Sequence, residues 1–111
     1  MRIHEQRHGA VTVLKVDGPV IGTDADELKD RLLRAQSDTL GRFVLDASGI
    51  LLIDSKGLEG LVDVAEEMTK TGKALKLSAA NETVRQILEL TGLAALFEHF
   101  EDANTAVRSF L

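Results

Sequence analysis

The feature that most constrains the fold is a regular alternation of short β-rich runs with longer segments of helical periodicity. Residues 3–16 read as two short strands separated by His8-Gly9, and Asp17-Gly18-Pro19 predicts a turn after them. Three later apolar runs have strand length, and they are Phe43–Leu45, Leu75–Leu77 and a run within 93–100. The alternation predicts an α/β sandwich, with a four- to five-stranded mixed sheet and about four helices mainly on one face.

Four segments place apolar residues at helical spacing. Their inward positions are Leu28, Leu32 and Ala35; Leu58, Leu61, Ala65 and Met68; Val84, Ile87 and Leu88; and Ala103, Ala106, Val107 and Phe110. Thr23 or Asp24 begins the first helix, because each has an acidic residue three positions later, as a capping arrangement requires. Asn81 caps the third helix, which Gly92 closes.

The composition excludes several classes of function. The chain has 111 residues, enough for one domain, and a net charge of −5 with no cluster of Lys and Arg. Direct nucleic-acid binding needs such a basic cluster to neutralise phosphates, so we do not expect it. Cysteine is absent, which excludes disulfides, thiol nucleophiles and thiolate metal sites.

Nothing in the sequence predicts insertion into a membrane. The amino-terminal stretch MRIHEQRHGA is polar, and the longest apolar runs, Ile50–Ile53 and Leu93–Phe97, are much shorter than a membrane span. We therefore expect a cytoplasmic protein. We also expect no cofactor.

The histidines give weak grounds for a metal site or an active site. His4 and His8 would lie about 13 Å apart along a strand, too far to share an ion. A catalytic triad could be drawn from Ser55, His99 and an aspartate, but no nucleophile motif accompanies it. We do not expect an enzyme.

The segment most suggestive of function runs from Asp46 to Leu58. An apolar strand ends in an acid, a short hydrophobic connector follows, and Asp54-Ser55 opens an amphipathic helix. Helix capping by itself explains Asp and Ser at these positions, and Gly57 eases the first turn. A serine at a helix start is also accessible to a kinase, and a phosphate there suits the helix dipole.

The run FVLDASGILLIDSKGLEGLVDV resembles the central signature of the STAS domain family, in which Asp-Ser-x-Gly-Leu opens a helix. The stretches GPVIGTDADELKDRLLRA and GKALKLSAANETVRQILELTGL are also similar to the family's first-helix region and to its later strand and helix. The resemblance covers nearly the whole chain, and it is most marked to the anti-sigma factor antagonists within the family.

The resemblance implies a switch between partners. The unmodified domain would bind an anti-sigma factor that is also a serine kinase, and phosphorylation of Ser55 would release it. A serine phosphatase would reset the switch. Asp54 and Gly57 would shape the site and the helix entry, and Leu58 would anchor the helix in the core. The partner would contact surrounding residues, namely Ile21, Thr23, Asp24, Lys56 and Glu59.

Two residues depart from the pattern of the antagonists. Ile21 occupies a place where they commonly carry Asp, and Lys56 replaces a small residue and could partly neutralise a phosphate. Two other functions stay open: a scaffold subunit of a membrane complex that transports lipid or anions, and a nucleotide-sensing module. The sequence leaves the oligomeric state and the identity of any sigma factor undetermined.

Overall fold

A five-stranded sheet with the spatial order β1-β2-β3-β4-β5 forms the centre of the molecule. The computed structural model describes all residues, 1–111. The strands are β1 (Arg2–His8), β2 (Val11–Val20), β3 (Phe43–Ile53), β4 (Leu75–Ser78) and β5 (Phe97–Phe100). The helices are α1 (Thr23–Thr39), α2 (Ser55–Thr69), α3 (Glu82–Leu90) and α4 (Ala103–Arg108), with a 3₁₀ turn at Ala94–Leu96.

The strand directions place the helix starts at one end of the sheet. β1 and β2 form an antiparallel hairpin around Gly9, whose φ of 64° suits glycine. β2, β3, β4 and β5 are mutually parallel. The carboxyl ends of β2, β3 and β4 therefore lie at the same edge of the sheet, where α1, α2 and α3 begin.

Three helices cover one face of the sheet and the fourth covers part of the other. The main core joins α1, α2 and α3 to side chains of the sheet such as Leu14, Leu45 and Leu77. On the opposite face Ala106 of α4 packs with Val11, Val13 and Val44. This arrangement confirms the predicted α/β sandwich with a mixed sheet and helices mainly on one face.

The helical periodicity predicted the buried faces well. Leu28, Leu32 and Ala35 of α1 are buried, as are Leu61, Ala65 and Met68 of α2. Leu58 is half-buried and packs against the edge of the main core. The side chain of Asn81 accepts from the Val84 amide at 3.0 Å, which confirms it as the cap of α3.

The predicted turn at Asp17-Gly18-Pro19 is wrong, because β2 continues through these residues to Val20. Asp17 pairs with Gly49 and Gly18 pairs with Ile50. The register shifts between Gly18 and Val20, and proline, which has no amide hydrogen, is tolerated in a strand at such an irregularity.

The predicted connector between Asp46 and Asp54 is also wrong, because β3 runs without a break from Phe43 to Ile53. The side chain of Asp46 lies on the sheet face opposite the main core, where it is half-buried, while Leu45 and Ala47 are in the core. A polar residue on that face does not end the strand, since successive side chains point to opposite sides.

The expected capping by Thr23 or Asp24 is wrong in a similar way. α1 does begin at Thr23, but its N-cap is Gly22, which has a φ of 59° and no side chain to accept a hydrogen bond. Thr23 and Asp24 belong to the first turn of the helix. The start of α1 was thus predicted correctly and its cap was not.

Candidate functional site

The carboxylate of Asp54 joins the start of α2 to the loop that follows β2. Its Oδ1 accepts from the Gly57 amide at 2.8 Å, which caps α2, and its Oδ2 accepts from the Gly22 amide at 3.0 Å. The Asp54 amide donates to the carbonyl of Val20 at 3.3 Å. Asp54 therefore fixes the position of α2 relative to the end of β2 and the start of α1.

These bonds keep Asp54 ionised. The Gly22 amide makes the largest contribution to lowering the pKa of Asp54, followed by the Gly57 amide, and the nearby ammonium of Lys56 acts in the same direction. Because both amides donate to the charged form, protonation would weaken the hydrogen bonds that hold the two segments together.

Gly57 is required by close packing rather than by a turn conformation. A Cβ atom at this position would lie 2.7 Å from Cγ1 of Ile53 and 2.8 Å from the carbonyl oxygen of Val20. Gly57 was predicted to ease the first turn of the helix; its structural role is to let α2 approach the end of β2.

Ser55 is the first residue of α2, and it is exposed. It lies on the rim of a shallow, largely apolar depression of about 310 Å³ that is lined also by Leu58, Glu59, Val62, Asp63 and Leu93. The serine therefore lies on the surface, at the amino-terminal end of a 15-residue helix. Its modification stays a prediction.

Lys56 points toward α1, where its Nζ lies 3.0 Å from Oδ2 of Asp26. Both side chains are more than half exposed, so this ion pair contributes little to stability. Lys29 and Asp63 form a second pair between α1 and α2, also at 3.0 Å. Lys56 is thus engaged by an acid from the neighbouring helix, while Glu59 lies on the depression beside Ser55.

Two exposed leucines near the end of β3 are a feature that was not predicted from the sequence. Leu51 is 71% exposed and Leu52 is 52% exposed, whereas Ile50 and Ile53 on either side are buried. Ile50 pairs with Gly18 and Ile53 with Val20, so the two leucines oppose the single residue Pro19 in a bulge. The sequence shows only an apolar run here, and the exposure of the two leucines follows from the bulge in the pairing with β2.

Ile21, at the end of β2, is also an exposed apolar side chain, with 40% of its surface accessible. We call Ile21, Leu51 and Leu52 the apolar rim. Ile21 precedes Gly22, which is bonded to Asp54, and Leu52 is two residues before Asp54. The apolar rim and Ser55 therefore share one end of the sheet.

The remaining predicted site residues lie at the start of α1. Thr23 is exposed, and Asp24 is half-buried with Oδ2 3.8 Å from the amino-terminal ammonium of Met1. Asp24 is therefore paired with the chain's own terminus.

The histidines lie in separate surroundings. His4 Nε2 is 3.0 Å from a carboxylate oxygen of Asp17, and His99 Nε2 is 2.8 Å from the carbonyl oxygen of Ala94. No group of three or more His, Asp or Glu residues is close enough to hold a metal ion. None of the helices has both the length and the apolar character that crossing a bilayer demands.

Comparison with known proteins identifies the family. An anti-sigma factor antagonist from Mycobacterium paratuberculosis superimposes with a TM-score of 0.82 at 23% identity, over 97% of this chain and 92% of that one. The Bacillus cell fate determinant SpoIIAA in its phosphorylated form gives 0.74 at 12% identity, over 99% and 100%. A sulfate transporter family protein from Wolinella succinogenes gives 0.70 at 23% identity, over 90% and 84%. Residues 2–106 match the family model of the STAS domain, and the chain therefore belongs to the STAS domain family.

Proposed function

We propose that this chain is an anti-sigma factor antagonist whose binding is switched off by phosphorylation of Ser55. The observation that carries the proposal is the position of Ser55, which is exposed at the start of α2 and shares one end of the sheet with the apolar rim. An exposed apolar rim at the same end of the sheet as a small neutral hydroxyl is a surface that a partner protein can cover closely.

A phosphate on Ser55 would oppose such an interface without unfolding the domain. It adds about −1.5 to −2 charges and three acceptor oxygens. The amino-terminal end of α2 accommodates this charge, but the carboxylates of Asp54 and Glu59 already lie beside Ser55 and would repel a phosphate there. A penalty of about 3–4 kcal/mol would lower affinity on the order of 100- to 1000-fold.

The comparisons support this role by analogy. An anti-sigma factor antagonist and a phosphorylated cell fate determinant both share the fold over nearly their whole length. In the proposed switch the partner is an anti-sigma factor with serine-kinase activity, and a serine phosphatase restores the binding form. Ile21 and Lys56 would adapt the surface to a particular partner, Ile21 by adding apolar area.

The test is to incubate the purified chain with ATP and each serine-kinase anti-sigma factor of its host, and to locate phosphate by mass spectrometry. We expect one kinase to modify Ser55. Ser55→Ala should bind that kinase and resist modification, and Ser55→Asp should bind on the order of 100-fold more weakly.

Ser48→Ala is the matched control, because Ser48 is also an exposed serine and lies on β3, the strand that precedes Ser55. This variant should be modified and should bind like the natural chain. Modification of Ser48 in place of Ser55, or equal binding by Ser55→Asp and Ser55→Ala, would contradict the proposal.

The fold shared with a sulfate transporter family protein favours a second candidate, a scaffold subunit that binds a membrane transport complex constitutively. In that role the apolar rim would serve as a permanent docking surface. The distinguishing result is stable co-purification with a transporter that is unaffected by Ser55→Asp and abolished by Leu51→Asp.

A further inference from the structure

A second surface feature lies at the opposite end of the sheet from Ser55, where the parallel strands begin. It is a depression of about 480 Å³ between the turn before β3 and the turn before β4. We call it the basic depression, and its principal side chains are those of Leu40, Arg42, Lys73, Lys76, Glu98 and Phe110. Its volume is within the range of pockets that hold small molecules.

Three cations and one carboxylate line the basic depression, in a chain that is acidic overall. Lys29, Lys56 and Lys70, elsewhere on the surface, each have a carboxylate at 3.0 Å. Arg42 and Lys73 have no carboxylate within 4.0 Å. The depression therefore carries positive charge that the protein itself does not neutralise.

Lys76 is the most buried of these cations, with only 12% of its side chain exposed. Its Nζ lies 3.8 Å from the centre of the Phe110 ring and 2.6 Å from Oγ of Ser109, and the nearest carboxylate, that of Glu98, is 4.0 Å away. A lysine so buried normally has a close anionic partner. Here an aromatic ring and a hydroxyl hold the ammonium closely, and its one carboxylate partner, Glu98, lies farther away than either.

Lys73 lines the basic depression and also has a structural role in the fold. Its Nζ donates to the carbonyl of Leu40, which follows the carboxyl end of α1. Gly41 makes room for this contact, since a Cβ there would lie 2.6 Å from Cδ of Lys73. Lys73 thus stabilises a helix end. Arg42 has no such role, because its guanidinium takes part in none of the side-chain hydrogen bonds or ion pairs of the fold.

We propose that the basic depression binds a small organic phosphate. Arg42, with Lys73 and Lys76, would hold the phosphate, because a guanidinium fork and ammonium groups are the side chains that suit this anion. The Phe110 ring and the exposed Leu40 would contact the organic part of the ligand. The inference does not depend on the function proposed for Ser55, which lies at the other end of the strands.

The experiment is a titration of the isotope-labelled full chain with phenyl phosphate, followed by amide chemical shifts in NMR spectra. We expect saturable shifts at residues around the basic depression and none around Ser55. Inorganic phosphate should bind more weakly than phenyl phosphate, because it lacks the ring. Benzyl alcohol, which lacks the charge, should produce no saturable shifts.

Arg42→Ala should weaken phenyl phosphate binding roughly tenfold, the factor expected on losing one charge-assisted hydrogen bond. Arg85→Ala is the control, since Arg85 is an exposed arginine on α3 outside the depression, and it should bind like the natural chain. Equal affinity of these two variants, binding of benzyl alcohol as tight as that of phenyl phosphate, or no saturable shifts at all would overturn the proposal.

Discussion

The carboxylate of Asp54 accepts a hydrogen bond from the Gly22 amide at 3.0 Å, although the two residues are 32 positions apart. The same carboxylate caps α2 through the Gly57 amide. One charged group therefore holds the loop after β2 and the first turn of α2 together, and Ser55 is the residue that follows it. The geometry around Ser55 should respond to any change in that charge.

Acidification should destabilise the chain through Asp54. The Gly22 and Gly57 amides lower its pKa in the folded state, so its stabilising contribution is fully present above about pH 4, the unfolded value, and is lost as pH falls through the folded value. Asp54→Asn should therefore unfold at lower urea concentration than the natural chain at pH 7. The difference between them should shrink below about pH 4.

Urea titrations at a series of pH values measure this effect. Glu66→Gln, at an exposed position of α2, is the control and should change the pH profile much less. A difference between Asp54→Asn and the natural chain that stays constant across the acidic range would show that the ionisation of Asp54 is not its source.

Two glycines of α2 should respond in opposite ways to alanine. Gly57→Ala forces a Cβ to within 2.8 Å of the Val20 carbonyl oxygen, so we expect a loss of about 1–3 kcal/mol in the free energy of unfolding. Gly60→Ala places its Cβ 3.6 Å from its nearest neighbours, an ordinary contact, and should gain roughly 0.5–1 kcal/mol from helix propensity. Chemical denaturation measures both variants, and a loss of similar size in each would contradict the packing argument.

Asn81 should stabilise the fold through both the oxygen and the nitrogen of its side-chain amide. Its oxygen caps α3 through the Val84 amide, and its Nδ2 donates to the carbonyl of Ile50 at 2.7 Å, beyond the point where β4 pairs with β3. Asn81→Ala should lose about 2–3 kcal/mol, from a cap worth about 1 and a partly buried bond worth about 1–2.

Asn81→Asp separates the two contributions, because a carboxylate still caps α3 but cannot donate to Ile50. Its stability should fall between those of Asn81→Ala and the natural chain, and hydrogen exchange should quicken in the second half of β3. Stability equal to that of the natural chain would show that the bond to Ile50 contributes nothing.

Local patterns predicted the parts of the fold that depend on local physics. The inward face of α1 and the cap of α3 follow from helical spacing and from the side chain of Asn81. The full length of β3 does not, because its second half is held by pairing with β2 and by Asn81, both distant in sequence. Asp46 was predicted to end the strand because it is acidic. It lies on the sheet face that α4 covers only in part, and the sequence does not show how much of that face is covered.

The candidate site also has a part that could be predicted from neighbouring residues and a part that could not. Asp54 as the cap of α2 and Ser55 beside it could be predicted, since capping involves neighbouring residues. Three other features could not be predicted, because each depends on how β2 and β3 are paired. They are the hydrogen bond from Gly22, the close contact that requires Gly57, and the exposure of Leu51.

A negative charge on Ser55 should leave the domain folded, and this is what separates a binding switch from a folding defect. Ser55 is exposed, and the amino-terminal end of α2 favours an anion, while Asp54 next to it opposes one. These effects are of similar size and opposite sign, so Ser55→Glu should change the free energy of unfolding by no more than about 0.5 kcal/mol.

Leu58→Glu provides the contrast, because Leu58 is half-buried against the main core within the same turn of α2, and its variant should lose stability clearly. Thermal unfolding followed by circular dichroism measures both variants. If Ser55→Glu were destabilised as much as Leu58→Glu, loss of partner binding on phosphorylation would follow from unfolding of the helix start. Natural stability in Ser55→Glu together with lost binding places the effect in the interface itself, where charge and desolvation act on the partner.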